Sequence, residues 1–155
     1  MRIRLAESRD IPVLLKLLRQ ILYVHHVGRP DLFRAAGEKY RAEELEAILC
    51  DASRPIFVAV ENDAVVGYAF CVFQQHVNNN ILTDIKTLYI DDLCVLENCR
   101  GKHIGSAIYQ KILEYAKYRG CYNVTLNVWA CNPGALKFYE KCGMQVQKMG
   151  MEWVL

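Results

Sequence analysis

Two periods divide the chain. Arg2–Glu7 alternates apolar and polar residues like a short strand. Ile11, Leu14, Leu15, Leu18, Ile21 and Leu22 then recur three and four apart, predicting an amphipathic helix to about Val24 with Ser8 as its cap. Gly28 and Pro30 break that period in "HHVGRPDLF", which predicts a loop. "EKYRAEELEAILC" predicts a second helix with Tyr40, Leu45, Ile48 and Leu49 on its apolar side.

The period then changes to two. Pro55–Glu61 and Ala64–Val77 predict strands joined by a hairpin turn at Asn62–Asp63. Asn78–Asn80 predict a second turn, because asparagine tolerates left-handed backbone angles, and Thr87–Leu96 the third strand of a meander. Ile104, Ile108, Ile112 and Tyr115 mark a helix from about Ile104 to Tyr118, with Gly120 as its stop. Tyr122–Val128 alternates again. Asn132 as cap and Pro133 in the first turn predict a last helix closed by Gly143, and "MQVQKMGMEWVL" a final strand.

The resulting order is β-α-α-β-β-β-α-β-α-β. It implies a mixed α/β fold: one mainly antiparallel sheet with helices on both faces, and a crossover helix that makes the next strand parallel. With 155 residues and no linker or repeat, residues 1–155 read as a single domain.

Composition narrows the function. The apolar share is 53% and the charged share 23%, ordinary for a soluble globular protein. A net charge of +2 makes no case for nucleic-acid binding, and no apolar run or leader points to a membrane or to secretion, so a cytoplasmic protein is expected. The seven cysteines contain no C-x-x-C and make no zinc spacing with the four histidines; most are expected to be core thiols, and no metal is expected.

The chemistry concentrates in "CRGKHIGSA", directly before the third helix. Amides at a helix N-terminus are unpaired and carry partial positive charge, and glycines before it let several of them point into one hollow. Arg100 and Lys102 add full charges beside Gly101 and Gly105. The turn fits a phosphate, or else a plain glycine turn with two solvated cations. It lacks the Lys-Ser or Lys-Thr of a P-loop, and its strand closes a meander rather than opening the parallel unit of a dinucleotide fingerprint.

"RGKHIGSA" after "DDLCV" resembles the pyrophosphate-binding signature of the GNAT (Gcn5-related N-acetyltransferase) superfamily, Arg/Gln-x-x-Gly-x-Gly/Ala, with His103 where the family usually has glycine. "NVWACNPGALKFYEKCGM" resembles the family's block in the fourth helix, and the element order is similar along nearly the whole chain.

The resemblance implies an acetyl-CoA-dependent N-acetyltransferase acting by direct transfer to a primary amine in a ternary complex. Arg100, Gly101, Lys102, His103, Ile104, Gly105 and Ser106 would hold the pyrophosphate. The main chain of Leu93, Cys94 and Val95 would pair with the pantetheine arm, and Asn132 would contact the cofactor, cap the last helix, or both. Tyr139 matches the tyrosine that protonates the departing thiolate; packing in the core is its ordinary alternative. An alkylammonium with a pKa near ~10.4 must lose a proton before it attacks. Asp91 matches an acidic position of some family members and is the expected base, with Asp92 or water as alternatives. Consecutive strand residues face opposite ways, so only one of the two reaches a given cleft unless a bulge intervenes.

His25 and His26 read as solvated or capping residues more than substrate contacts, Cys94 as a core thiol, and Trp129 as packing. Acidic residues near the cleft suit a cationic acceptor such as a polyamine or an aminoglycoside-like amine. A protein N-terminal acetyltransferase of the ribosomal-protein type, or a CoA-binding sensor that has lost transfer, would share these motifs. A homodimer is a family-level expectation.

Overall fold

A computed structural model describes residues 1–155. Strands β1 (Arg2–Leu5), β2 (Ile56–Glu61), β3 (Ala64–Gln75), β4 (Lys86–Val95) and β5 (Asn123–Leu126) form one sheet in the order β1-β2-β3-β4-β5. All neighbours are antiparallel except β4 and β5, which run parallel because helix α3 (Ile104–Tyr118) carries the chain across between them. Helices α1 (Ile11–Gly28) and α2 (Ala42–Leu49) lie on one face and α3 on the other, with α4 (Pro133–Lys141) on the α3 side.

Strand alternation builds a core on each face. Val58, Tyr68, Phe70 and Cys94 point toward Leu14, Leu17, Leu18, Leu45 and Ile48 of α1 and α2. Phe57, Ala59, Ala69, Cys71, Leu88 and Ile90 point toward Ile104, Ile108, Tyr109 and Ile112 of α3. Two connections follow from backbone chemistry. Asn62 and Asp63 both take positive φ, at 50° and 60°, in the two-residue turn between β2 and β3. Asn132 accepts a hydrogen bond from the Ala135 amide at 3.1 Å and so caps α4.

Several boundaries differ from expectation. A 3-10 turn at Ser8–Asp10 precedes α1, and the Ser8 hydroxyl donates to Glu46 at 2.8 Å instead of capping. Asp10 does the local work there: it takes two hydrogen bonds from Arg4, at 2.6 and 2.9 Å, and one from the Glu7 amide at 2.8 Å. Helix α1 continues past Val24 to Gly28, since glycine is tolerated in a last turn, while α2 starts only at Ala42. Of the seven cysteines Cys71 and Cys94 are fully buried and Cys99, Cys121 and Cys142 pack half-buried against the core, while Cys50 and Cys131 are exposed.

The final strand is absent: residues 145–155 form no helix or strand. Alternation there finds no partner to bury against, and Val146, Met149, Met151 and Trp153 stay exposed. The segment is tied instead by Glu152, which accepts two hydrogen bonds from Arg29 at 2.8 and 2.9 Å.

Candidate active site

The sheet opens at β4. Its parallel pairing with β5 runs from Thr87 opposite Asn123 to Ile90 opposite Leu126 and ends there. From Asp91 to Val95, β4 keeps β3 on one side and has no strand on the other. The Leu96 amide donates to Val66 at 2.9 Å, toward β3. In an antiparallel ladder successive residues turn their amides and carbonyls to opposite sides, so those of Leu93 and Val95 face the opening and those of Cys94 face β3. Gln20 of α1 uses this exposed edge, donating to the Val95 carbonyl at 3.1 Å. Arg100 donates to the same carbonyl at 3.4 Å, which draws the first cation of the glycine turn to the mouth of the opening.

That turn enters α3 with left-handed backbone at two points: Gly101 at φ 77° and His103 at φ 60°. His103, where the resembling family has glycine, therefore adopts the angle that glycine would supply. Histidine is among the residues that tolerate it, at some cost. The imidazole is exposed and leaves the first amides of α3 uncapped. Gly105 has a different reason to be glycine. A Cβ there would lie 3.3 Å from the Phe138 ring, so its absence lets α3 and α4 approach. Ile104 is buried, whereas Gly101 and Lys102 are exposed and Ser106 is half-buried. Open amides on β4, a left-handed turn with space around Gly101 and two cations at its mouth fit an extended arm joined to a pyrophosphate, as in CoA.

The adjoining helix α4 places Tyr139 against Phe138 and Tyr109, with ring centroids 5.0 and 6.3 Å away. Burial, with the Asp92 carboxylate adding to it, holds its phenol well above the ordinary tyrosine range.

The carboxylates meet on the other side. Phe70 pairs with Asp92 and Cys71 with Ile90, so Asp91 is the extra residue of a β-bulge. The bulge brings both side chains to one cation: Lys39 Nζ lies 2.8 Å from Asp91 and 3.4 Å from Asp92. The two are unequal, since the Asp91 side chain is 31% exposed and that of Asp92 only 7%. Burial raises the Asp92 pKa above the ordinary carboxylate value, although Lys39 and Tyr68 partly oppose this. The Tyr68 hydroxyl is fully buried and close enough for Asp92 to raise its pKa further, yet it has no hydrogen bond of normal geometry.

Cys94, beside Asp92 on this face, has its thiol pushed up to about 12 by burial and by that carboxylate, which disfavours a thiolate nucleophile. His25 packs on Phe33 at 5.0 Å, the His26 ring lies 2.7 Å from the Phe33 carbonyl, and Phe33 meets the edge of Trp129 at 5.1 Å. These residues close the segment after α1 against the segment after β5.

Sequence reasoning pointed to the glycine turn, β4 and Tyr139, whose elements meet where Gly105 lies against Phe138 and Val95, and to Asn132, which caps α4. It missed Gln20, Lys39 and Tyr68, and it ranked Asp91 above Asp92, whereas burial perturbs Asp92. The odd residue count across the bulge is not visible without the partner strand.

A splayed parallel pair, a left-handed turn into a helix and a half-buried tyrosine on the adjoining helix are the features of a class of acyl-CoA-dependent transferases. The sequence profile described as "Acetyltransferase (GNAT) family" matches residues 21–144, and the chain belongs to that family. It is an N-acetyltransferase, of a family that generally uses acetyl-CoA. The chain is 30% identical over 122 residues to glucosamine 6-phosphate N-acetyltransferase 1 of Oryza sativa subsp. japonica, covering 78% of this chain and 67% of the relative. It is 27% identical over 148 residues to thialysine N-epsilon-acetyltransferase of Bos taurus, covering 92% and 83%. A crystal structure of a mutant BH1408 protein from Bacillus halodurans superposes with a TM-score of 0.95 at 30% identity, over 100% of this chain and 99% of that one. Other curated relatives are matched over as little as 32% of their length.

Proposed function

We propose that this protein moves the acetyl group of acetyl-CoA directly to a primary amine on a cationic small molecule. The observation that carries this reading is the bulge at Asp91, which turns two consecutive carboxylates onto one ammonium beside the open edge of β4. Such a pair attracts a cationic amine and repels an anionic one. Of the two acceptors in the relatives' names, thialysine suits it better than glucosamine 6-phosphate.

Each chain group then has a task. The glycine turn from Arg100 to Ser106 binds the pyrophosphate, and the edge amides of Leu93 and Val95 fix the pantetheine arm; bound acetyl-CoA supplies the activated acetyl carbon. An edge amide also stabilises the oxyanion that develops at that carbon. Asp92, with its raised pKa, accepts the ammonium proton directly or through water, and Asp91 orients the amine. Tyr139 stays protonated and offers its proton to the leaving sulfur. A thiol is ordinarily the stronger acid, near ~8.5 against ~10, but a dry site also penalises the thiolate, so position governs the transfer.

The test is release of CoA thiol from acetyl-CoA with 1,4-diaminobutane, spermidine, thialysine and glucosamine 6-phosphate offered separately. Release with the cationic amines and little with the sugar phosphate is the expected result. The reverse ranking overturns the acceptor class, and no release with any amine overturns transfer.

A further inference from the structure

We propose that Lys39 is a resident occupant of the acceptor-ammonium site, and that an acceptor binds by displacing it. This rests on the acetyl-transfer reading of the carboxylate pair and adds a specificity determinant to it.

A carboxylate as deeply buried as Asp92 is costly unless a cation stays beside it. In the free protein that cation is Lys39, whose Nζ reaches both Asp92 and Asp91. Lys39 belongs to neither face of the core. It sits between α1 and α2, in a stretch from Arg29 to Arg41 without helix or strand. That stretch is pinned at either end by contacts that do not involve Lys39. Arg29 holds Asp31 and Glu152 at one end, and Tyr40 stacks on Phe70 and accepts from Arg54 at the other. The Lys39 side chain is 34% exposed, so its ammonium has a path to water while the segment stays attached.

The Tyr68 hydroxyl is the second observation. Buried beside Asp92 and unpartnered, it has lone pairs that Lys39 leaves unused. A small ammonium not tethered to the chain could donate to Asp91, Asp92 and Tyr68 together, satisfying a polar atom that is orphaned in the free protein. Exchange of one ammonium for another keeps Asp92 neutralised throughout. Lys39 thereby excludes neutral and anionic ligands, and it weakens every cationic one by the fraction of time it occupies the pair.

The experiment is isothermal titration of 1,4-diaminobutane into the full chain, alone and with saturating CoA. Wild type is compared with Lys39→Gln, Lys39→Met and Lys39→Arg, and thermal melts show that each variant is folded. The Gln and Met variants are expected to bind the diamine about tenfold more tightly, and the Arg variant close to wild type. Unchanged or weaker binding in the Gln and Met variants overturns the proposal, as does absence of binding in all four proteins. Acetyl-CoA titrated into the same proteins separates the two readings. If it binds normally while the diamine result fails, only the role of Lys39 falls; if wild type does not bind it, the acetyl-transfer reading falls too.

Discussion

Ile90 and Leu126 form the last rung between β4 and β5, and the next residue of β4 is the bulge. On the proposed reading these two events, one residue apart, create both halves of the site. Loss of the β5 partner leaves the edge amides of Leu93 and Val95 open, where the proposal puts the cofactor. The bulge brings Asp91 and Asp92 to Lys39, where it puts the acceptor.

Acid should switch the enzyme off through Asp92. As the proposed base it works only when ionised, so kcat/KM should fall as pH drops through its raised pKa, above the ordinary 3.8. Stability runs the other way: the folded state holds this proton more tightly, so this group's contribution falls as pH rises from 3.8 through the folded value. Asp92→Asn should lower kcat/KM about 100-fold and remove the acidic limb, read from a pH–rate profile. A limb unchanged in the variant would assign the base to another group.

Tyr139→Phe keeps the packing against Tyr109 and Phe138 and removes only the hydroxyl. Loss of a general acid should cut kcat by about 100-fold and leave acetyl-CoA affinity within about twofold. Steady-state kinetics with a cofactor titration separates these quantities, and equal loss in both would make Tyr139 a binding residue.

Arg4 and Asp10 fasten β1 to the start of α1, with side chains 16% and 5% exposed. Burial opposes ionisation of Asp10, but the hydrogen bonds from Arg4 and the Glu7 amide outweigh it and hold its pKa low. This contribution is present above the unfolded value and is lost as pH falls through the folded one. Asp10→Ala strands the guanidinium and should cost about 3 kcal/mol in urea unfolding at neutral pH. A loss under ~1 kcal/mol would show that water replaces the carboxylate.

His103→Gly relieves the left-handed angle but frees the unfolded chain, so a net gain of about 0.5 kcal/mol is expected. A raised Tm with acetyl-CoA affinity retained would show that the imidazole is dispensable. Weaker binding would make it a phosphate contact.

Much of this was legible in the sequence because local chemistry determines it. The apolar spacing in α1 and α3, the asparagines of the tight turns and Asn132–Pro133 at α4 each act over a few residues. Gly105 and Tyr139 were legible as motif. What stayed hidden depends on pairing across distance. The bulge is defined by Phe70 and Cys71 on β3, and Lys39 reaches carboxylates 52 and 53 residues away. The final strand failed for the same reason: residues 145–155 alternate, but alternation cannot supply a neighbour.

On the proposed reading the turn from Arg100 to Gly105 and the open edge of β4 hold acetyl-CoA. Isothermal titration of acetyl-CoA into wild type and Gly105→Trp tests this, because an indole at this position would strike Phe138 and fill the junction of α3 and α4. Binding at about micromolar affinity is expected in wild type and its loss in the variant, with both proteins folded by circular dichroism. Equal binding by both would place the cofactor elsewhere, and the absence of binding by folded wild type would overturn the acetyl-transfer reading.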